Sequence, residues 1–297
     1  MKKTMKWKFG VVLSLALLVG FGALGVRSAA AAPWDVFDLD SKLYVPYYRA
    51  DANTITLLVV ENPFGPGAVP NIRFYDQDCK FIRDLHPPLT TADVDFFSVN
   101  KVLEPATGEG GILINANAGA ATPGLSAETI VIDLVAGTLT RFHHINQQDG
   151  AGIWNVFADT WTGAYFDANG VDNELYLFCP KKKSATETQN RLGDDLIALA
   201  DSPVNDPTKF SAGVDLFVFD ADENLIITVP VPCTCVTRAL LEAYTTQVNG
   251  RDGRIVVTSI YTGGDDEDFI AFMKTQIKGT NFVFSGYMFS SYGDRTR

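Results

Sequence analysis

Residues 72–82 read IRFYDQDCKFI and residues 216–226 read LFVFDADENLI, and these two stretches decide the fold. Each begins with residues that favour β-strands, turns at an Asp-x-Asp sequence and continues as a second strand. Aspartate suits such a turn because its short side chain accepts hydrogen bonds from the backbone two residues on. The stretches lie 144 positions apart, so we predict that one β-hairpin occurs twice in the chain.

The resemblance between the two parts of the chain continues beyond the hairpins. At the same offset, 88–90 meets 232–234 and 96–97 meets 240–241, and after a slip of one residue 108–114 meets 251–257. Because separate matches keep their order and nearly their spacing, we predict an internal duplication. The alignment predicts two pairs of equivalent core residues, each costly to truncate: Phe81 with Leu225, and Phe96 with Leu240.

Short segments rich in β-branched and aromatic residues, cut by Gly, Pro, Asn and Asp, fill most of the chain. This texture is typical of all-β sandwiches. We therefore predict two tandem antiparallel β-sandwich modules, Ig-like or jelly-roll-like, over residues 42–146 and 147–297. The second module carries a polar loop insertion at about 181–209. An insertion on a rigid scaffold can form a binding surface, but we expect a solvated excursion whose deletion costs little stability.

The first 31 residues have the layout of a secretory signal peptide. Four lysines, between Lys2 and Lys8, precede an apolar run of 14 residues from Val11 to Leu24, and small residues follow up to Ala32. An apolar run of this length falls short of the roughly 20 residues that span a bilayer. We therefore expect cleavage that leaves a first residue between Ala30 and Pro33, and a mature chain without a transmembrane segment.

The composition bounds the location and the partners of the chain. Cleavage would remove five basic residues (four lysines and Arg27) and no acid, which lowers the formal net charge from −11 to −16. Because this negative charge repels nucleic acid and anionic lipid, we exclude a nucleic-acid function. We expect a periplasmic, cell-surface or extracellular protein whose partners are proteins or other copies of itself.

Four cysteines lie in the predicted exported part of the chain, and an oxidising compartment favours disulfides between them. A zinc site is disfavoured because Cys233 and Cys235 are separated by one residue and no second pair accompanies them. A bond between those two cysteines would be strained. We therefore predict a disulfide from Cys179 to Cys233 or to Cys235, within the second module.

One acidic loop is a candidate calcium site. Asp167, Asn169, Asp172 and Glu174 place four oxygen-bearing side chains within eight residues around a glycine, and Ca²⁺ prefers 6–8 oxygen ligands. The spacing departs from that of an EF-hand loop. The favoured interpretation is a hairpin turn between two strands, with calcium as the alternative.

No combination of residues indicates catalysis. The chain has three histidines and no G-x-S-x-G sequence, and its acids are too numerous for any one pair to suggest glycoside hydrolysis. Because His143 and His144 are neighbours in a strand, we expect one ring to be packed and the other solvated. Trp154 and Trp161 lie near Tyr165 and could form a core, an interface or a platform for sugar stacking.

These observations favour a non-enzymatic extracytoplasmic structural or surface protein that acts through packing of its β-modules and through self-assembly into a layer, filament or envelope complex. Two alternatives stay open. One is a secreted or periplasmic module that binds carbohydrate or another small ligand, which would require a groove lined by the tryptophans. The other is a hydrolase on a β-sandwich scaffold, which would require two facing acids in a deep pocket.

Overall fold

Antiparallel β-strands form nearly all of the regular structure. The computed structural model describes residues 42–63, 66–116, 124–146, 160–198, 213–260 and 269–290. The predicted signal peptide, residues 1–31, lies outside them. The first part of the chain contains β1 (Lys42–Ala50), β2 (Thr54–Asn62), β3 (Asn71–Asp76), β4 (Phe81–Leu85), β5 (Asp93–Ser98), α1 (Val99–Leu103), β6 (Gly108–Asn115), β7 (Ser126–Asp133), β8 (Thr138–His143) and β9 (Ile145–Asn146).

The second part repeats this series with one added helix, α2. It contains β10 (Thr160–Tyr165), β11 (Val171–Phe178), α2 (Leu192–Ala198), β12 (Gly213–Asp220), β13 (Leu225–Pro232), β14 (Thr237–Leu240), α3 (Leu241–Tyr244), a 3₁₀ turn (Thr246–Val248), β15 (Gly253–Ser259), β16 (Ile270–Ile277), β17 (Val283–Tyr287) and β18 (Phe289–Ser290). No helix among the described residues is long and apolar enough to cross a membrane.

The strands form four sheets, two in each part of the chain. Sheet A has the order β5-β2-β7-β8 and sheet B the order β4-β3-β6-β1-β9. Sheet C has the order β14-β11-β16-β17 and sheet D the order β13-β12-β15-β10-β18. Adding nine to each strand number converts sheet A into sheet C and sheet B into sheet D. The all-β fold of two sandwich modules is therefore confirmed, whereas the boundary predicted at residue 147 falls in 147–159, outside the described residues.

Sheets A and B pack face to face, sheets C and D do the same, and sheet B packs on sheet C. Alternate side chains of sheets A and B, such as Leu58 and Phe74, share one apolar core, as period-two strands require. The opposite face of sheet B, with Tyr44 and Leu113, belongs to a second core that also contains residues of sheets C and D. The contact between the two modules is therefore made by sheet B against sheet C, together with Phe142 of β8, the edge strand of sheet A, which also contacts sheet C.

The predicted hairpins occupy equivalent places. Asp76 and Asp220 each accept two backbone hydrogen bonds, from the N–H groups two and four residues further on, at 2.8–3.0 Å. Cys79 and Glu223 both adopt a positive φ, at 66° and 64°. The one-residue slip is also confirmed, because Asp76 pairs with Gly110 and Asp220 with Gly253. A Cβ atom on Gly110 would lie 1.8 Å from the Tyr75 carbonyl oxygen, so the close approach requires glycine.

The predicted core pairs are wrong. Phe81 and Leu225 are equivalent in register, but Phe81 is only half-buried and Leu225 is 53% exposed. Phe96 is 66% exposed and is the equivalent of Arg238, because each lies three residues before a short helix begins. The offset changes because the chain from β4 to β5 is two residues longer than its counterpart. Truncating these four side chains should therefore cost far less than removing core residues.

Candidate functional site

The junction between the two modules is built around aromatic rings. Tyr47 and Phe142 of the first module meet Tyr176, Phe178 and Phe272 of the second, with ring centroids 4.5–6.5 Å apart. All five residues are buried. Aromatic residues in such tilted arrangements contribute both a large buried area and favourable ring contacts. The junction therefore resembles a protein core rather than a loose contact between domains.

A network of ion pairs lies beside the aromatic rings. Glu109 of the first module lies 3.6 Å from Arg49 and 3.4 Å from Arg238 of the second module. Glu174 in turn lies 3.4 Å from Arg238 and 3.3 Å from Lys274. Because these groups are largely removed from water, their geometry matters more than that of surface pairs. The network fixes the register of one module on the other.

Arg238 and the two tyrosines beside it have pKa values raised by their surroundings. Burial disfavours the charged form of Arg238, but Tyr47, Glu174 and Glu109 outweigh that effect and raise its pKa above the usual value. Burial raises the pKa of Tyr47 and of Tyr176, so both phenols stay protonated. The cleft among these residues has a volume of about 10 Å³, room for about one water molecule. The arrangement therefore serves as a structural joint.

A segment of the second module, residues 179–198, crosses onto the first module, and we call it the strap. Lys181 N–H donates to the Cys79 sulfur at 3.1 Å, and Leu192 N–H donates to the Cys79 carbonyl at 3.0 Å. Arg191 donates to the Asp78 carbonyl at 3.0 Å. The Leu192 side chain is fully buried. The strap therefore packs on the turn of the first hairpin.

Asp195 is the strap's main polar contact with sheet B. The Tyr75 hydroxyl donates to its Oδ2 at 2.6 Å, and an Arg73 nitrogen lies 2.9 Å from the same oxygen. Asp195 is 7% exposed. Burial, followed by the hydrogen bond to Asp195, raises the pKa of Tyr75. The contact joins residues 120 positions apart and holds α2 against the first module.

The predicted insertion at about 181–209 is therefore not a solvated excursion where the structure describes it. Its residues up to Ala198 bury leucine side chains and bond to the first module, so we correct the expectation that its deletion costs little. Residues 199–212 lie outside the described part of the chain. Within the described part of the insertion, α2 runs from Leu192 to Ala198.

Two disulfides complete the joint. Cys179 bonds to Cys233, one of the two partners that the sequence left open. Cys235 bonds to Cys79 of the first module, and this second disulfide was not predicted. All four cysteines are buried. The modules are therefore linked covalently at the turn that the strap covers.

The predicted calcium residues are engaged with the protein. Asp167 accepts the N–H groups of Asn169 at 2.9 Å and of Gly250 at 2.6 Å, and these bonds hold its pKa below the usual value. Asp172 lies 3.4 Å from Lys278, and Glu174 belongs to the junction network. The described residues include no group of three or more His, Cys, Asp or Glu side chains arranged for a metal ion. Calcium binding stays a prediction.

The aromatic and histidine residues have structural surroundings. Trp161 is buried and its indole N–H donates to the Phe269 carbonyl at 2.9 Å. Tyr165 is also buried, whereas Trp154 lies outside the described residues. His144 is buried and His143 is partly exposed, as expected for neighbours in a strand. These rings therefore belong to the core, except for that of His143.

Sequence reasoning missed the residues that join the modules, and one signal could have found them. Cys79 stands at the turn position where the repeat has Glu223. A cysteine that differs from its repeat partner, in a chain with three others, suggested a contact specific to one copy. Nothing local marked Tyr75, Asp195 or Glu109. No family model, curated protein or solved structure matches the chain.

Proposed function

We propose that this chain is an exported, non-enzymatic structural or surface protein that acts through packing of its β-modules and through self-association. The proposal is supported by the way the two modules are joined. A buried aromatic core, an ion-pair network, the strap and the disulfide Cys79–Cys235 combine them into one stiff unit. Such construction suits a building block, because domains that must move are joined by smaller and more polar contacts.

The observation that carries the proposal is the apolar character of the two outermost sheet faces. The outer face of sheet A exposes Ile55, Val94, Phe96 and Leu139 by 40–66%. The outer face of sheet D exposes Leu225 by 53%. Exposed apolar surface of this kind on a β-sheet marks a site of protein contact. We infer that these faces are covered when the protein is at work.

Export is supported by the leader and by the disulfides. The first 31 residues have the three regions of a signal peptide. Two disulfides are formed by buried cysteines, and disulfides of this kind persist in oxidising compartments. We place the protein in the periplasm, on the cell surface or outside the cell.

The alternatives have less support. Carbohydrate binding would need a groove lined by Trp161 and Tyr165, and both are buried and so do not offer a face for stacking on a sugar. A hydrolase would need two facing acids in a deep pocket. Among the residues that the structure describes, the cleft at the junction is instead lined by a single acid, Asp133, which lies 3.8 Å from Arg49, and it has room for about one water molecule.

The proposal is tested by locating the chain and measuring its native size. We expect the exported form to begin between Ala30 and Pro33 by mass spectrometry of the cell fractions. We expect the purified mature protein to show a mass that rises with concentration in sedimentation velocity. A protein that stays in the cytoplasm, or that is monomeric at every concentration, would contradict the proposal.

A further inference from the structure

The contact between the two modules joins unlike faces. Sheet B is the five-stranded sheet of the first module, and sheet C is the four-stranded sheet of the second. On sheet B the contact uses Tyr47 and Glu109, and on sheet C it uses Tyr176 and Arg238. A contact between two different surfaces of a repeated unit is heterologous and does not close on itself unless its rotation completes a ring.

This arrangement leaves one face of each kind uncovered, one at each end of the chain's two modules. Sheet A is the equivalent of sheet C, and sheet D is the equivalent of sheet B. Within the chain, sheet C of the second module covers sheet B of the first. The outer faces of sheets A and D are therefore the two surfaces that would make the same contact again.

The outer face of sheet A has the layout of its equivalent in sheet C. Phe96 and Val59 are neighbours on adjacent strands, at the positions that Arg238 and Tyr176 occupy in the junction. Ile55, Ile132 and Leu139 form a second cross-strand row on this face. Rows of apolar side chains pointing away from a sandwich core indicate a face that is covered by another sheet.

The outer face of sheet D has the layout of its equivalent in sheet B. Phe217 and Val256 are paired, and so are Phe219 and Arg254. Register makes Phe217 the equivalent of Arg73 and Phe219 the equivalent of Tyr75. In sheet B, Arg73 and Tyr75 both bind Asp195 of the covering module.

We propose that copies of this chain stack head to tail, with sheet D of one copy docked on sheet A of the next. Each new contact repeats the internal one, with β17, the equivalent of β8, beside sheet D, so the product is an open stack. The partner is a second copy because the two faces are equivalent to surfaces that already fit each other within one chain. This inference rests on the self-association in the proposed function and specifies its geometry.

The contact between copies lacks two parts of the internal joint. In the first module, β2 and β3 are joined by residues 63–70, where the second module has residues 179–212 that include the strap. The hairpin of sheet D has Glu223 at the position of Cys79. The association of copies is therefore non-covalent and weaker than the internal joint. It depends on the apolar faces, with Arg254 and Glu61 available for pairing.

The test uses one substitution on each face and a matched control. Phe96→Lys places a charge on sheet A, and Leu225→Lys places one on sheet D. Lys101→Glu changes the charge of an exposed residue of α1, whose buried side chains pack into the core between sheets A and B, away from both outer faces. All three side chains are exposed, so the variants should fold like the wild type. Circular dichroism and a count of free thiols check this.

Sedimentation velocity of the mature, oxidised protein should show concentration-dependent growth for the wild type and for Lys101→Glu. Each face variant alone should associate at least about tenfold more weakly, as expected when a central contact is lost. An equimolar mixture of Phe96→Lys and Leu225→Lys should stop at twice the monomer mass, because each variant keeps one intact face. That result is specific to a head-to-tail contact.

The contrary outcomes separate the two proposals. One contrary outcome is that the wild type associates and the mixture of Phe96→Lys and Leu225→Lys associates to the same extent. In that case the head-to-tail inference is wrong, and self-association stands. If Lys101→Glu alone abolishes growth, the contact runs through α1 and the inference is again wrong. If the wild type stays monomeric at all concentrations, both this inference and the self-association in the proposed function are refuted.

Discussion

Replacing Asp195 by alanine should weaken the whole protein, although the residue lies in an insertion that only the second module has. The carboxylate accepts a hydrogen bond from Tyr75 at 2.6 Å and lies 2.9 Å from an Arg73 nitrogen. Both partners belong to the first module. Asp195→Ala would therefore leave the buried Tyr75 hydroxyl without its acceptor and Arg73 without its acid. Helix α2 would then lose its polar contacts with sheet B.

The expected cost follows from the two contacts. A buried hydrogen bond to a charged group contributes about 1.5–3 kcal/mol. The Arg73 side chain is 32% exposed, so water partly replaces its lost partner, and that pair should add no more than about 1 kcal/mol. We expect a total loss of about 2–4 kcal/mol. A change of 1 kcal/mol shifts the thermal midpoint of a unit of this size by about 2–4 °C.

The loss is measured by urea and thermal unfolding of the oxidised protein. A double-mutant cycle with Tyr75→Phe should give a coupling energy of about 1 kcal/mol or more, because the two residues share one hydrogen bond. Asp84→Ala is the control, since its side chain is 44% exposed and its removal should change stability by less than about 0.5 kcal/mol. If Asp195→Ala costs no more than the control, or if the two substitutions are additive, the strap does not stabilise the joint.

Three further predictions concern the joint and the repeat. Replacing the disulfide between Cys79 and Cys235 by serines should lower the free energy of unfolding by about 2–5 kcal/mol, measured in urea, because the bond closes a long loop; an unchanged midpoint would contradict this. Gly110→Ala should cost about 1–3 kcal/mol or more because its Cβ would overlap the Tyr75 carbonyl, whereas Gly286→Ala, with no atom within 4 Å, should be tolerated. Hydrogen bonds from Arg191 and Ser184 lower the pKa of Glu187 from 4.5 to about 2. The contribution of Glu187 to the stability of the folded protein is therefore present above about pH 4.5 and lost as the pH falls towards 2. Glu187→Gln should accordingly show a smaller acid-induced fall in the unfolding midpoint than the wild type.

The strands and the repeated hairpin could be predicted because their causes are local. An Asp-x-Asp turn between β-forming residues specifies a hairpin through bonds that span four residues, as at Asp76 and Asp220. The same reasoning failed for Phe96, because apolar residues on the two faces of a strand look alike in sequence. Which face is covered depends on the neighbouring sheet, and a two-residue difference in loop length was enough to misalign the strand.

The residues of the joint could not be predicted because their partners are distant in the chain. Asp195 and Tyr75 are separated by 120 positions, and neither lies in a pattern that indicates a contact. The acidic loop at Asp167 is a different case, because its composition supports two interpretations. Its oxygens satisfy backbone N–H groups and lysines across the sheet, so a composition typical of a metal loop also serves as turn chemistry.

The duplication and the joint together explain why the two modules have diverged where they have. A chain of two equivalent sandwiches that pack through unlike faces must specialise one face of each module for the internal contact. Sheet B and sheet C carry the tyrosines, the ion pairs and the Cys79 substitution that make this contact permanent. The outer faces of sheets A and D instead expose apolar side chains such as Phe96 and Leu225, and sheet A carries there the ion pair of Arg141 with Glu128. These outer faces therefore lack the parts that make the internal contact permanent.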